Sequence, residues 1–105
     1  MKPAGQSRLD EVWARSPRMI GRKIGSEYVL VPLADRGADL DSILNLNRVA
    51  AFVWERLDGA RSGAEVVDAV VETFDVERGR AEHDYLELVE TLVEVDAVTR
   101  APKRA

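Results

Sequence analysis

The hydrophobic periodicity of the chain predicts an α+β fold: an N-terminal three-stranded antiparallel sheet followed by three helices. Three observations carry this. Two alternating runs, Met19 to Ile24 and Glu27 to Leu33, are separated by Gly25-Ser26, which suits a two-residue hairpin with glycine at the first turn position. A third alternating run ends in Leu44-Asn45-Leu46-Asn47 and passes straight into a helical period at Val49, Phe52, Val53 and Leu57. Two more helical stripes follow, Val66, Val67, Val70, Phe74 and then Tyr85, Leu88, Val89, Leu92.

In chain order, residues 1–7 are polar and contain Pro3 and Gly5, so they are expected to be disordered. Leu9, Val12 and Trp13 then recur at helical spacing, in a segment too short to stand alone as a helix. Residues 1–16 therefore read as an arm, partly disordered or docked, ahead of a domain at 17–100 and a disordered tail at 101–105. Pro32 cannot donate to a ladder, so pairing should weaken there. The third strand runs from Leu40 or Ser42 to Leu46, and Asn47 can cap the helix Arg48 to Leu57, which Gly59 is expected to end in a left-handed conformation. Ser62 and Glu65 form a capping-box pair for the second helix. Asp75 is expected to cap the third, which runs from Glu77 or Arg78 to about Glu94 despite Gly79 in its first turn. Val95 and Val98 finish the core as an extended tail.

The 105 residues suffice for one domain with a modest core. The longest apolar run, Tyr28 to Leu33, is too short to cross a membrane, and no apolar stretch follows Lys2 as in a secretory signal. Without cysteine there is no disulfide, thiol nucleophile or thiolate metal site, and a cytoplasmic protein is expected. The net charge of −4 is unevenly spread, with a basic first third and an acidic second half. That acidic half would repel a polyanion, so neither nucleic acid nor a membrane is an expected partner.

No catalytic constellation is present. His83 lies beside Asp84 without a second strong ligand, Ser62 is accounted for as a cap, and no base lies near Ser42 in sequence. No cofactor or metal is expected. Function must then reside in surfaces. Leu86 and Val93 lie two turns apart, off the main stripe of the third helix, and either widen its core face or pack under the N-terminal arm, or form one wall of a groove flanked by Glu82, Glu90 and Glu94. The other wall would be the edge of the third strand, whose unpaired backbone groups an added peptide strand can satisfy.

The ordered set of three strands, Leu46-Asn47 at the strand-to-helix junction, Trp54-Glu55-Arg56-Leu57-Asp58-Gly59, a Ser-capped Val-rich helix and a third helix with an apolar tail resembles the PqqD family over roughly Pro17 to Val98. These are peptide chaperones of pyrroloquinoline quinone biosynthesis, and the same small fold recurs as the recognition element for ribosomally made, modified peptides. The resemblance implies a winged-helix-like domain without catalysis of its own. A precursor's leader segment would add as an antiparallel strand to the third strand, with its apolar side chains in a cleft beside the third helix. Carried over by position, the peptide-binding residues are Ser42, Ile43, Leu44, Asn45 and Leu46 on the strand, and Glu82, Leu86, Val89, Glu90 and Val93 on the helix. The implied partners are the leader peptide and a modifying enzyme of the radical SAM or peptidase and cyclase type. The N-terminal arm is expected to occupy the leader groove or to make a homodimer contact. Two rivals remain: a winged-helix DNA-binding regulator, which the acids of the last two helices disfavour, and a scaffold subunit of a maturation enzyme.

Overall fold

The computed structural model describes residues 9–33 and 44–101. In chain order the elements are β1 (Val12–Arg15), β2 (Met19–Ile24), β3 (Glu27–Pro32), β4 (Leu44–Leu46), α1 (Arg48–Glu55), β5 (Asp58–Ser62), α2 (Gly63–Thr73), α3 (Arg78–Glu94) and β6 (Val98–Ala101). The strands form two antiparallel sheets, ordered β2-β3-β4 and β5-β1-β6. The three-stranded sheet followed by three helices is thus present, and a second small sheet accompanies it, formed by one strand from each end of the described fold and by β5 from between α1 and α2.

The first sheet is built on its turn. Ile24 pairs with Glu27 around Gly25-Ser26, with Gly25 at φ +62°, and the register continues without interruption to Met19 opposite Pro32. Residues directly opposite in an antiparallel pair alternate between bonded and non-bonded. Leu33 donates its N–H to the Arg18 carbonyl at 2.7 Å, so Arg18 and Leu33 are a bonded pair and Met19 and Pro32 are not. Pro32, lacking an N–H, therefore sits where β2 needs no donor, and β3 ends there.

The arm is where the sequence reading and the structure part. Leu9 and Asp10 are helical, but from Val12 the chain is extended and forms the central strand of the second sheet. Val12 and Trp13 are buried in the core, so these two side chains are engaged within the fold. The helical spacing misled because Leu9 belongs to a preceding turn. A four-residue strand with ladders on both sides, to β5 and β6, overrides so short a local period. The domain accordingly includes Val12 and extends through Ala101.

β5 explains Gly59. Its φ of +80° belongs to an irregular strand, not to a helix end. Between the pairs Val12–Ser62 and Ala14–Asp58 the β5 chain has the extra residues of a bulge, and Gly59 absorbs them. Asp58 organises the bend by accepting the Ala60 and Arg61 N–H groups at 3.0 and 3.2 Å. Burial would raise its carboxyl pKa, but those bonds and the Arg61 guanidinium together hold it below the ordinary value.

The helices follow their stripes. Asn47 caps α1 by accepting the Ala50 N–H at 2.8 Å, and Ser62 with Glu65 completes the capping box of α2. Asp75 does not cap α3: Glu77 is the N-cap residue and makes no side-chain cap bond. Instead Arg78 bridges Asp68 of α2 at 2.5 Å and Glu82 at 3.2 Å, tying the first turn down beside Gly79. At the far end the Ala97 N–H bonds the Leu92 carbonyl and the Asp96 N–H bonds that of Val93, with Asp96 at φ +60°. This Schellman closure turns the chain into β6. Val53, Leu57, Val66, Val67, Val70, Tyr85, Val89 and Leu92 meet Leu30 of the sheet in the core, and Trp54 joins them.

Gly21 is constrained by this packing. A Cβ there would lie 2.4 Å from the Tyr28 hydroxyl and 2.8 Å from Trp54 Nε1. Gly21→Ala should therefore destabilise the domain by about 1–3 kcal/mol, whereas Gly79→Ala, with open space around it, should stabilise by roughly 0.5–1 kcal/mol. Urea unfolding of both variants gives the comparison. The Tyr28 phenol is pushed above its ordinary pKa by burial and then by the Glu55 carboxylate, with Arg15 opposing. A raised pKa means that Tyr28 favours folding below the unfolded phenol's pKa, and that this contribution is lost as pH rises through the folded value. Carbon NMR of labelled tyrosine should show Tyr28 ionising later than a free phenol, and earlier in Glu55→Gln.

Candidate peptide-binding edge

Among the described residues β4 lies at one margin of the first sheet, with β3 on one side only. Its register pairs Leu46 with Tyr28, Asn45 with Val29, and Leu44 with Leu30. The alternation set by the hairpin decides which backbone groups point outward. Val29 and Val31 bond to β2, so Tyr28 and Leu30 turn their groups toward β4 and bond Leu46 and Leu44. Asn45 is the non-bonded member. Its N–H and C=O face away from the sheet, and its side chain is exposed. The Leu44 and Leu46 side chains turn to the core, half-buried and buried respectively. Ser42 and Ile43 fall outside the described residues.

At Asn47 the chain leaves the sheet, and two clefts open. One, of about 300 Å³, separates α1 from α3; Asn47, Ala50 and Val53 line one side, and Arg80, Asp84, Leu88 and Thr91 the other. The second, of about 1040 Å³, lies under the hairpin tip and is lined by Tyr28, Leu46, Arg48, Phe52 and Phe74 among others. Its floor is an edge-to-face pair, Phe52 and Phe74, with centroids 5.1 Å apart. Arg56 covers the Phe52 ring at 3.4 Å.

The five expected positions on α3 do not border the cleft beside Asn47. Val89 is completely buried and belongs to the core, so it is corrected from groove wall to core residue. Glu82 is held by Arg78, which also grips Asp68, so this flank leans toward α2. Leu86 and Val93 share that flank and pack half-buried against the core. Glu90 is exposed. The opposite flank of α3 turns toward α1. Sequence reasoning passed over it because Leu88 fits the core stripe, and Arg80 with Asp84 look like an ordinary surface pair.

That flank is electrostatically mixed. Arg80 pairs with Asp84 at 3.2 Å, and His83 lies 3.4 Å from Glu87. The His83, Asp84 and Glu87 ligand atoms fall within 4.8 Å of one another, but all three side chains are at least partly open to solvent, and Arg80 already neutralises Asp84. The Ser62 hydroxyl is engaged as a cap, and Ser16 accepts the Arg18 N–H at 3.1 Å. Trp54 is 2% exposed and serves the core. Among the described residues no helix is long and apolar enough to cross a membrane. What the site offers is an outward-facing amide and carbonyl beside one cleft floored by aromatic rings and near another of mixed polar and apolar lining.

A search of curated proteins gives no match. Two solved structures share the fold. Lasso peptide synthetase B1 complexed with the leader peptide is 26% identical, with a TM-score of 0.68 over 84% of this chain and 98% of that one. TbiB1 in complex with the TbiA(beta) leader peptide is 22% identical, with a TM-score of 0.64 over 81% and 93%. The model of the family described as coenzyme PQQ synthesis protein D (PqqD) matches residues 27–98, from the start of β3 to the start of β6, and so encloses β4, the three helices and the cleft between α1 and α3. By that match, which spans more than half of its length, the chain belongs to the PqqD family.

Proposed function

We propose that this chain is a non-catalytic recognition domain. It takes the leader segment of a ribosomally made precursor peptide as an added strand on β4 and presents it to a modifying enzyme. The observation that carries this reading is the edge at Asn45, unpaired among the described residues, with both backbone groups turned outward beside the cleft under the hairpin tip. The leader peptide bound by the lasso synthetase relative supports it. The enzyme would be of the radical SAM type, as in the quinone pathway, or of the peptidase and cyclase type, as in lasso pathways.

The backbone alone cannot carry the affinity. Two edge hydrogen bonds contribute about 1–3 kcal/mol net, whereas micromolar binding needs about 8 kcal/mol. Apolar side chains of the leader must supply the rest, in the cleft walled by Leu88 and Thr91 and under the hairpin tip at Phe52 and Phe74.

The test uses the precursor peptide encoded beside this chain, labelled at its leader and titrated by fluorescence anisotropy. Asn45→Pro removes an N–H that no described backbone group uses, so it should weaken binding at least tenfold while shifting the unfolding midpoint little. Thr91→Arg, on the flank facing α1, should also weaken binding, whereas Glu90→Arg should have a smaller effect. Wild-type affinity in Asn45→Pro would overturn the strand-addition reading.

A further inference from the structure

The first sheet has a second free margin. β2 is bordered by β3 alone and is six residues long, against three described for β4. The same alternation applies. Ile20, Arg22 and Ile24 bond to β3, so Met19, Gly21 and Lys23 turn their backbone groups outward. The Met19 N–H is taken by the Ser16 carbonyl at 3.1 Å. Gly21 and Lys23 have no backbone partner on that side among the described residues. A slot of about 440 Å³ runs along this margin toward the end of α1, walled by Pro17, Ile20, Tyr28 and Trp54. On the outer face Ile20 and Ile24 are 43% and 61% exposed. One exposed isoleucine needs no explanation. Two in phase on a free margin, beside a slot, form the pattern that strand addition uses.

Charge selects the occupant. The chain is net acidic at −4, yet Arg15, Arg18, Arg22 and Lys23 gather here against Glu27 and Glu55. Neither Arg18 nor Arg22 takes part in an ion pair among the described residues. A second copy is a poor occupant: antiparallel two-fold pairing about Gly21 would bring Arg18, Arg22 and Lys23 of both copies along one seam. A neutral strand gains nothing from these cations, and edge lysines discourage it.

We infer that β2 is a second strand-accepting margin, and that it takes an extended segment of a different protein with acidic and apolar residues taking turns at every second position, so that both fall on the face shared by Arg18, Ile20, Arg22 and Ile24. The apolar positions lie against Ile20 and Ile24, and the carboxylates meet Arg18 and Arg22. The backbone groups of Gly21 and Lys23 form the ladder. This site stands apart from β4, and neither needs the other to be filled.

The probe is an mRNA-displayed library of random twelve-residue peptides selected on the intact chain, with enriched peptides retested on three variants. Lys23→Pro deletes an outward N–H without touching the β2–β3 bonds, and Arg22→Glu reverses an exposed charge. Asn45→Pro blocks the other margin. The expected result is a class of peptides with Asp or Glu four residues apart and an apolar residue midway between them. Those peptides should lose at least tenfold in affinity with Lys23→Pro and with Arg22→Glu, and should bind Asn45→Pro like wild type. The inference is overturned if no enriched peptide is sensitive to Lys23→Pro and Arg22→Glu, whether or not others depend on Asn45. Loss to Asn45→Pro alone would leave the leader site standing and remove this one.

Discussion

The two-residue turn at Gly25-Ser26 sets the hydrogen-bond phase of the whole first sheet. Once Ile24 faces Glu27, every later pair is determined: Pro32 falls where no donor is needed, Leu30 and Tyr28 bond β4, and Asn45 is left facing out. A slip of one residue would bury Asn45 and expose Leu44 and Leu46. The same phase governs Gly21 and Lys23 on the opposite margin. The proposed recognition by strand addition would thus be prepared by turn geometry well away from the residues that make the contact. Asn47 completes the arrangement by capping α1, which carries the chain out of the sheet and keeps β4 short.

Much of this was legible in the residues. Gly25-Ser26, Asn47, Ser62 with Glu65 and the valine stripe of α2 are local signals with local causes, and the structure reproduces each. What escaped depends on distant partners. β1 is a strand because β5 and β6 flank it, and no window around Val12 contains that information. Gly59 was read correctly for its positive φ but given the wrong element, because a bulge and a helix end ask the same conformation of glycine. The left-handed Asp96 left no signal, since glycine is the usual residue at such a closure.

The candidate site divides in the same way. The strand could be placed by its alternation, and Asn45 needed only the hydrogen-bond phase to become the central residue. The helical wall could not. Leu86 and Val93 on one flank of α3 and Leu88 with Thr91 on the other are equally compatible with an amphipathic stripe. Arg78 ties the Glu82 flank to Asp68 of α2, and the other flank turns toward α1. A pair of exposed ion pairs, each of which adds little stability, therefore marks the orientation of the helix that walls the cleft.

Val12 lies opposite Ala101 in the second sheet, so the polypeptide enters and leaves the described fold through adjacent strands. A unit wired this way behaves as a cassette. It can be spliced into a surface loop of a larger protein without either junction having to cross the body of the domain. The strand pair that closes the fold also makes it portable, and its free margins on the other sheet stay clear of the seam where such a graft would be made.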